Sequence, residues 1–285
     1  MKLFIPQLNR RVKGGGWSFS SNFSKYAKDW AEFVDDPMKC DCYVIPGATM
    51  VVDKYEPERA KEKGAKIVLR VDNAPKNSNN RNSGISKLLK FSRLADLVVY
   101  QSQWAKDYLM PFVGKDGPVI MNGVDTEIFK PEGLEYPKPE GKNIYLYSRS
   151  SRDDQKGWHR AWYQYQFIQR EDPNAVLWIV GKFSLENLKT NFDFFMGEQY
   201  QFFSVVTDPE QMAMMYRTAY RLLIPFFEDC CSNTLIESLA CGTEPYPDDN
   251  LKTGGMPEIM KLKDLSAKRM AEEYKQEMGK LCPAI

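Results

Sequence analysis

The stretch LLIPFFEDCCSNTLIESLACGT, residues 222–243, holds the residues best suited to chemistry. An apolar run ends at the acidic pair Glu228-Asp229, and Ser232-Asn233 stands where a helix would be capped. Asp229 and Glu237 are eight positions apart, so a carboxylate at a strand end and one on the following helix can look into a single cleft. Carboxylates accept hydrogen bonds from hydroxyls, and a sugar nucleotide offers hydroxyls on both its hexose and its ribose. The backbone N–H groups at the helix start suit phosphate. Glu237 interrupts an otherwise apolar helix, TLI-SLA, and a carboxylate there needs a partner or a purpose.

A departing diphosphate that has no metal to neutralise it needs cations and N–H groups from the protein. YLYSRSSRDDQKGWHRAW supplies Arg149, Arg152 and Lys156 close together just after an apolar run. Solvated loop charges are the plain alternative. Asp153-Asp154 and Asp248-Asp249 are adjacent pairs on polar loops without an Asp-x-Asp spacing, so neither a metal nor another cofactor is expected. Gly14-Gly15-Gly16 lies between the apolar KLFIPQL and a helical stretch, where it can serve as a turn or approach a phosphate. Asp72 closes KIVLRV and is the candidate to orient or deprotonate an acceptor hydroxyl. Lys76, Arg81, Lys87, Lys90 and Arg93 follow with no acidic residue among them. They form either a solvated helix face or a surface for an anionic acceptor, with Lys87, Lys90 and Arg93 as its core.

These residues must be held by alternating strands and helices. In the first half, KLFIPQL, YVIP, KIVLRV, DLVVYQS and PVIMNGV read as strands. SSNFSKYAKDWAEFV, DKYEPERAKEKG, ISKLLKFSRLA and QWAKDYLMPFV read as the helices between them. The alternation restarts with NIYLYS, AVLWIVG, YQFFSVV and YRLLIPF as strands and with helices over GWHRAWYQYQFIQR, residues 184–195, DPEQMAMMYRTA and SNTLIESLA. On the first of these helices Trp162, Tyr163, Tyr165 and Phe167 read as packing residues, and His159 as exposed. PEGLEYPKPEGK has the composition of a connector. This gives domains over 1–133 and 134–264, with a terminal helix over 265–285 that packs back on the first domain.

A chain of 285 residues with 43% hydrophobic and 27% charged residues is long enough for two folded α/β units. The net charge of +1 hides an excess of basic residues before position 131 and of acidic residues after it, so the first unit is the one to face something anionic. Six cysteines are scattered without paired C-x2-C sets and read as free thiols. No run approaches the ~20 apolar residues of a membrane span, and no secretory leader opens the chain, so a cytoplasmic protein is expected.

DCCSNTLIESLACGTEP followed by GGMPEI resembles the E-x7-E signature of the large retaining glycosyltransferase family that includes sucrose-phosphate synthases and bacterial mannosyl- and glucosyltransferases. ADLVVYQSQWAKDYL, VIMNGVDTEIFKP and the loop ending at Lys156-Gly157 resemble further segments of that family in the same order, from about Gly14 to Ile259. The resemblance implies a GT-B architecture, two Rossmann-like domains with parallel sheets facing across a cleft, in a compact form like that of viral or phage enzymes. It implies that Arg149 or Arg152, with Lys156, grips the donor diphosphate, and that Glu237 binds the ribose. Asp229 stands where the family has its first Glu and would lie nearer the hexose. The N–H groups of Ser232, Asn233 and Thr234 would meet donor hydroxyls or phosphate, and Gly15 and Gly16 the diphosphate. Many relatives carry a histidine in the first domain, whereas the single histidine here, His159, is in the second half.

The expected activity is transfer of a hexose from a nucleoside-diphosphate sugar, UDP-sugar favoured, to an acceptor hydroxyl with retention. The acceptor would be a nucleic acid, as a modified base, or a phospholipid surface. A GT-B-like nucleotide-sugar epimerase is disfavoured because such enzymes need more acidic and histidine residues in the cleft. A two-lobed nucleotide- or nucleic-acid-binding protein without turnover is the reading from another class, and salt-sensitive binding without product would mark it.

Overall fold

The computed structural model describes residues 1–8, 14–72, 82–150, 156–182, 199–226 and 228–282, with the side chains of 82, 83, 149 and 150 left out. Arg152, Lys76, Arg81, the Asp153-Asp154 pair and the helix expected over 184–195 lie outside the described residues. The chain divides into two compact units. One comprises Met1–Asp125, Asp229–Cys231 and Glu258–Ile285, and the other Thr126–Glu228 and Ser232–Pro257. No helix among the described residues is long and apolar enough to cross a membrane.

The first unit is built on a parallel sheet of five strands, β1 (Lys2–Phe4), β2 (Glu32–Phe33), β3 (Cys42–Ile45), β4 (Lys66–Val71) and β5 (Leu97–Tyr100), in the order β2-β1-β3-β4-β5. CYVI and all but the first residue of KIVLRV are buried, as befits strands covered on both faces. Because side chains alternate along a strand, Tyr43, Ile45, Ile67 and Leu69 join one core, with Phe91 of α3 (Asn82–Leu94) and Leu109 of α4 (Gln103–Val113). That core also takes Ala60 of α2 (Glu56–Glu62). Val44, Val68 and Val99 point to the other face, toward Phe19 and Phe23 of α1 (Gly15–Ala27).

The last helix, here α9 (Ala267–Leu281), covers that same second face. Its Tyr274 ring sits 5.3 Å from both Phe19 and Phe23. Helix α4 is bounded as its sequence dictates. Ser102 caps its start through Ala105 N at 3.0 Å, and Gly114 ends it at φ 72°. Glu258, from GGMPEI, accepts from Gln103 N at 2.7 Å and Trp104 N at 2.9 Å, placing an anion at the positive end of that helix.

Two first-half elements differ from expectation. The helix read through SSNFSKYAKDWAEFV stops at Ala27, because Trp30 N and Ala31 N both turn back to Ala27 O and the chain then enters β2 beside Lys2 and Leu3. PVIMNGV makes no strand. Pro118 has no N–H to give to a ladder, and the segment keeps only two isolated bridges, Val119 to Tyr100 and Val124 to Ser266.

The second unit has a four-stranded parallel sheet, β6 (Asn143–Ser150), β7 (Ala175–Gly181), β8 (Tyr200–Phe203) and β9 (Arg221–Leu222), in the order β8-β7-β6-β9. Among the described residues its helices are α5 (Trp158–Glu171), α6 (Pro209–Thr218) and α7 (Asn233–Ala240); the short α8 (Met256–Ile259) begins in this unit and passes at Glu258 into the first. The packing role expected for four aromatics on α5 is corrected. Trp162 and Tyr165 are buried with Trp158 and Ile168, whereas Tyr163 and Phe167 are each 62% exposed. The reason is the 3.6-residue period: 158, 162, 165 and 168 share one face, and 163 and 167 fall opposite.

Candidate functional site

In open parallel sheets ligands bind beyond the carboxyl ends of the strands, where the order reverses. In the second unit the reversal lies between β6 and β9, since β7 and β8 extend to one side of β6 and β9 joins the other. β6 runs into Arg149, whose side chain is outside the described residues, and the chain is described again at Lys156. Lys156 is half-buried, and its carbonyl accepts from Tyr147 Oη at 2.8 Å, which ties the loop to the strand it leaves.

Gly157 then starts α5 in the left-handed region, φ 77°. A Cβ there would lie 2.5 Å from Pro225 O, so the strand-to-helix passage is open only to glycine. The N-cap residue of α5 is a glycine and brings no side chain to its start, and the first backbone bond into the helix is Ala161 N to Gly157 O. The N–H groups ahead of that bond emerge at the helix end next to Lys156, an arrangement that favours an anion.

The other flank is α7. Ser232 is buried and spends its hydroxyl on Leu235 N at 3.3 Å, so its side chain is a helix cap. The half-buried Asn233 and Thr234 open the helix, with their N–H groups ahead of its first internal bond, Ile236 N to Ser232 O. One turn on, Glu237 has the partner its apolar surroundings require: Tyr216 Oη donates to Glu237 Oε2 at 3.0 Å. Ser148 Oγ of β6 lies 3.4 Å from the same phenol. Tyr216 is buried, and burial, then the Glu237 charge, push its pKa well above the ordinary 10. It therefore stays an O–H donor at any working pH and fixes one carboxylate oxygen of Glu237. Tyr216 sits in a methionine-rich helix that reads as packing. Only the tertiary pairing reveals its role.

A cavity of about 710 Å³ opens at the ends of the neighbouring strands, lined by Ile179, Gly181, Lys182, Phe202, Phe203 and Val205. Gly181 pairs with Ser150 of β6, so this cavity adjoins the end of the strand that leads to Lys156. Sequence reasoning missed it. The available signal was the rule that sites collect at carboxyl ends, together with the aromatic pair closing YQFF.

In the first unit the order reverses between β1 and β3. The two flanks are Gly14–Gly16, opening α1 without a capping side chain, and the turn after β3. Gly15 has open space around it, whereas a Cβ on Gly16 would strike Met50 Sδ. A Cβ on Gly47 would collide with the carboxylate of Asp72, so a side chain there would have to displace it. Burial raises the Asp72 pKa above the usual carboxylate range, against the opposing pull of Arg70 and the N–H groups of Asp72 and Ala48.

Arg70 is itself 2% exposed and was not singled out from the sequence, although a charge inside KIVLRV was the signal. Its guanidinium donates to Pro46 O at 2.6 Å, Gln101 Oε1 at 2.5 Å and Asn122 Oδ1 at 2.9 Å, and lies over the Phe19 ring. A buried charge without such partners would cost several kcal/mol.

Asp229 and Glu237 fall in different units. Asp229 lies in the turn before α7, where its carboxylate accepts from Cys231 N at 3.1 Å. The Cys231 carbonyl in turn accepts from Asn122 at 3.2 Å, and Cys230 joins the first unit's core. Of the basic trio on α3, Lys87 donates to Val51 O at 2.7 Å. Lys90 pairs with Glu58 at 3.0 Å and lies 4.0 Å over the Tyr55 ring, while Arg93 is exposed. Among the described residues no group of three or more His, Cys, Asp and Glu is placed to hold a metal ion.

No family model matches the chain, and no curated protein matches it in sequence. Solved structures do match. HepE from Anabaena, in complex with UDP, is 14% identical with a TM-score of 0.65, over 96% of this chain and 89% of that one. Sucrose-phosphate synthase from Thermosynechococcus elongatus is 15% identical with a TM-score of 0.63, over 94% and 79%. A candidate UDP-N-acetylglucosamine 2-epimerase from Listeria monocytogenes is 11% identical with a TM-score of 0.58, over 96% and 86%. At these identities the likeness establishes the architecture, and the chain has the GT-B fold.

Proposed function

We propose that the chain is a glycosyltransferase that takes a sugar from a nucleoside diphosphate, a uridine one by preference, and passes it to an acceptor hydroxyl with retention and without a metal. The observation that carries the proposal is the pairing, at one end of one sheet, of Lys156 beside the glycine-started helix α5 with a Glu237 fixed by Tyr216. Lys156 and the N–H groups opening α5 and α7 take the diphosphate and stabilise the charge that grows on it as the glycosidic bond breaks. Arg149 or Arg152 shares that role. Glu237 accepts from the ribose hydroxyls, and the cavity beyond β7 and β8 receives the base against its aromatic lining.

Asp72 serves the acceptor. A carboxylate with a raised pKa is a better proton acceptor than an ordinary one, and it follows β4 and faces Gly47 in the turn after β3, one flank of the first unit's crossover. The excess of basic residues in the first half supports an anionic acceptor, nucleic acid before phospholipid. The fold alone leaves a 2-epimerase as the second reading, but the one histidine, His159, is exposed on α5, and Glu237 is held by a structural hydrogen bond. Calorimetric titration tests the donor site. UDP is expected to bind wild type and to bind Lys156→Ala and Glu237→Ala at least about tenfold more weakly. Equal affinity in all three would remove the assignment.

A further inference from the structure

Two thiols remote in sequence meet in the first unit. Cys42 Sγ lies 3.7 Å from Cys282 Sγ, across 240 positions of chain, and 3.5 Å from the sulfur of Met1. We propose that Cys42 and Cys282 form a reversible disulfide that fastens the end of the last helix to the central sheet. Such a bond needs the sulfurs at about 2.05 Å, so one side must move.

Cys42 cannot be the one that moves. It is fully buried in β3, in register with Leu3 on one neighbouring strand and Lys66 on the other. Cys282 can, because it follows α9 as its C-cap residue and is half-exposed. Cys282 is also the thiol that the structure places against Cys42. Cys40 and Cys230 pack into the core on the opposite face of the sheet, whereas Cys42 and Cys282 belong to the same one.

The chemistry requires a small disulfide oxidant, for which oxidised glutathione serves. The Cys282 thiolate attacks one sulfur of the oxidant, and the first glutathione leaves as thiolate and takes a proton. The Cys42 thiolate then attacks Cys282 Sγ and expels the second glutathione. The protein loses two electrons and two protons, and one glutathione disulfide becomes two thiols. Burial pushes the Cys42 thiol up in pKa, so the second step is the slow one and quickens with rising pH. The product would hold α9 against the sheet face it shares with α1.

The experiment treats native protein with oxidised glutathione, blocks remaining thiols, and maps peptides without reduction. Six free thiols should fall to four, with a mass loss of about 2 Da and one linked peptide joining Cys42 to Cys282. Amide exchange in the last turn of α9 should slow in the oxidised form and recover on reduction. Cys282→Ser removes a half-exposed group near the chain end, so the fold is retained, and the variant should keep its remaining five thiols under the same treatment. A stable glutathione adduct on Cys282 without the linked peptide, a link between other cysteines, no reaction at all, or the same thiol loss in Cys282→Ser would each overturn the proposal.

Discussion

Replacing Gly157 by alanine isolates the contact that lets Lys156 and α5 share the sheet's crossover. Alanine would keep a φ of 77°, which costs about 1–2 kcal/mol for a residue with a Cβ. Its Cβ would stand 2.5 Å from Pro225 O and 2.8 Å from Pro225 C, both backbone atoms. Ordinary contact begins near 3.4 Å, so strand or helix must give way by almost an ångström, at a further 1–3 kcal/mol or so. Together these place Gly157→Ala about 2–5 kcal/mol below wild type, a loss readable as a lowered urea midpoint. Gly15→Ala is the control, because nothing lies within 4 Å of a Cβ there and its φ is unstrained; it should shift stability by no more than about 0.5 kcal/mol. In Gly157→Ala the donor affinity should fall as well, since the displaced residues adjoin Lys156. A Gly157→Ala variant as stable as Gly15→Ala would refute the reasoning.

Three further outcomes follow from the site. Tyr216→Phe removes the hydroxyl that fixes Glu237 and should cost about 2 kcal/mol with a loss of UDP affinity; unchanged stability and affinity would contradict the pairing. Asp72 has a raised pKa in the fold, so its contribution to stability is full below the unfolded value and is lost as pH rises through the folded one. Asp72→Asn should therefore gain on wild type in urea unfolding between about pH 4 and neutrality while losing transfer, and a gain confined to lower pH would reverse the assignment. Changing Lys87, Lys90 and Arg93 to Ser should weaken use of an anionic acceptor and flatten its salt dependence. Because Lys87 and Lys90 already hold Val51 O and Glu58, most of that effect should trace to Arg93, as the single Arg93→Ser variant would report.

The elements legible in the sequence were those whose local and tertiary demands agree. KIVLRV became β4 to the residue because Ile67, Val68, Leu69 and Val71 give it the near-continuous apolar character of a strand buried on both faces. QWAKDYLMPFV became α4 because a serine and a glycine close its ends. The tail of the α1 pattern went to β2 because pairing beside β1 outweighed the helical period there. Within the candidate site, Glu237 stood out in the sequence as a charge in an apolar helix, and Lys156-Gly157 by its place after a strand. Tyr216, Arg70 and Gly47 were not visible, since each acts through a residue distant in sequence: Tyr216 through Glu237, Arg70 through Gln101 and Asn122, and Gly47 through Asp72. The eight-residue spacing of Asp229 and Glu237 suggested one functional pair; the spacing did not show that Asp229 is grouped with the first unit and Glu237 with the second.

The most direct test of the central claim is product analysis after incubation with α-configured nucleotide-sugars and a panel of acceptors in EDTA. The account predicts release of one nucleoside diphosphate per sugar transferred, an α linkage by NMR, and a rate lowered about a hundredfold in Lys156→Ala. Conversion of the donor to its epimer without an acceptor, tight binding with no product, or transfer that requires added manganese would each contradict it.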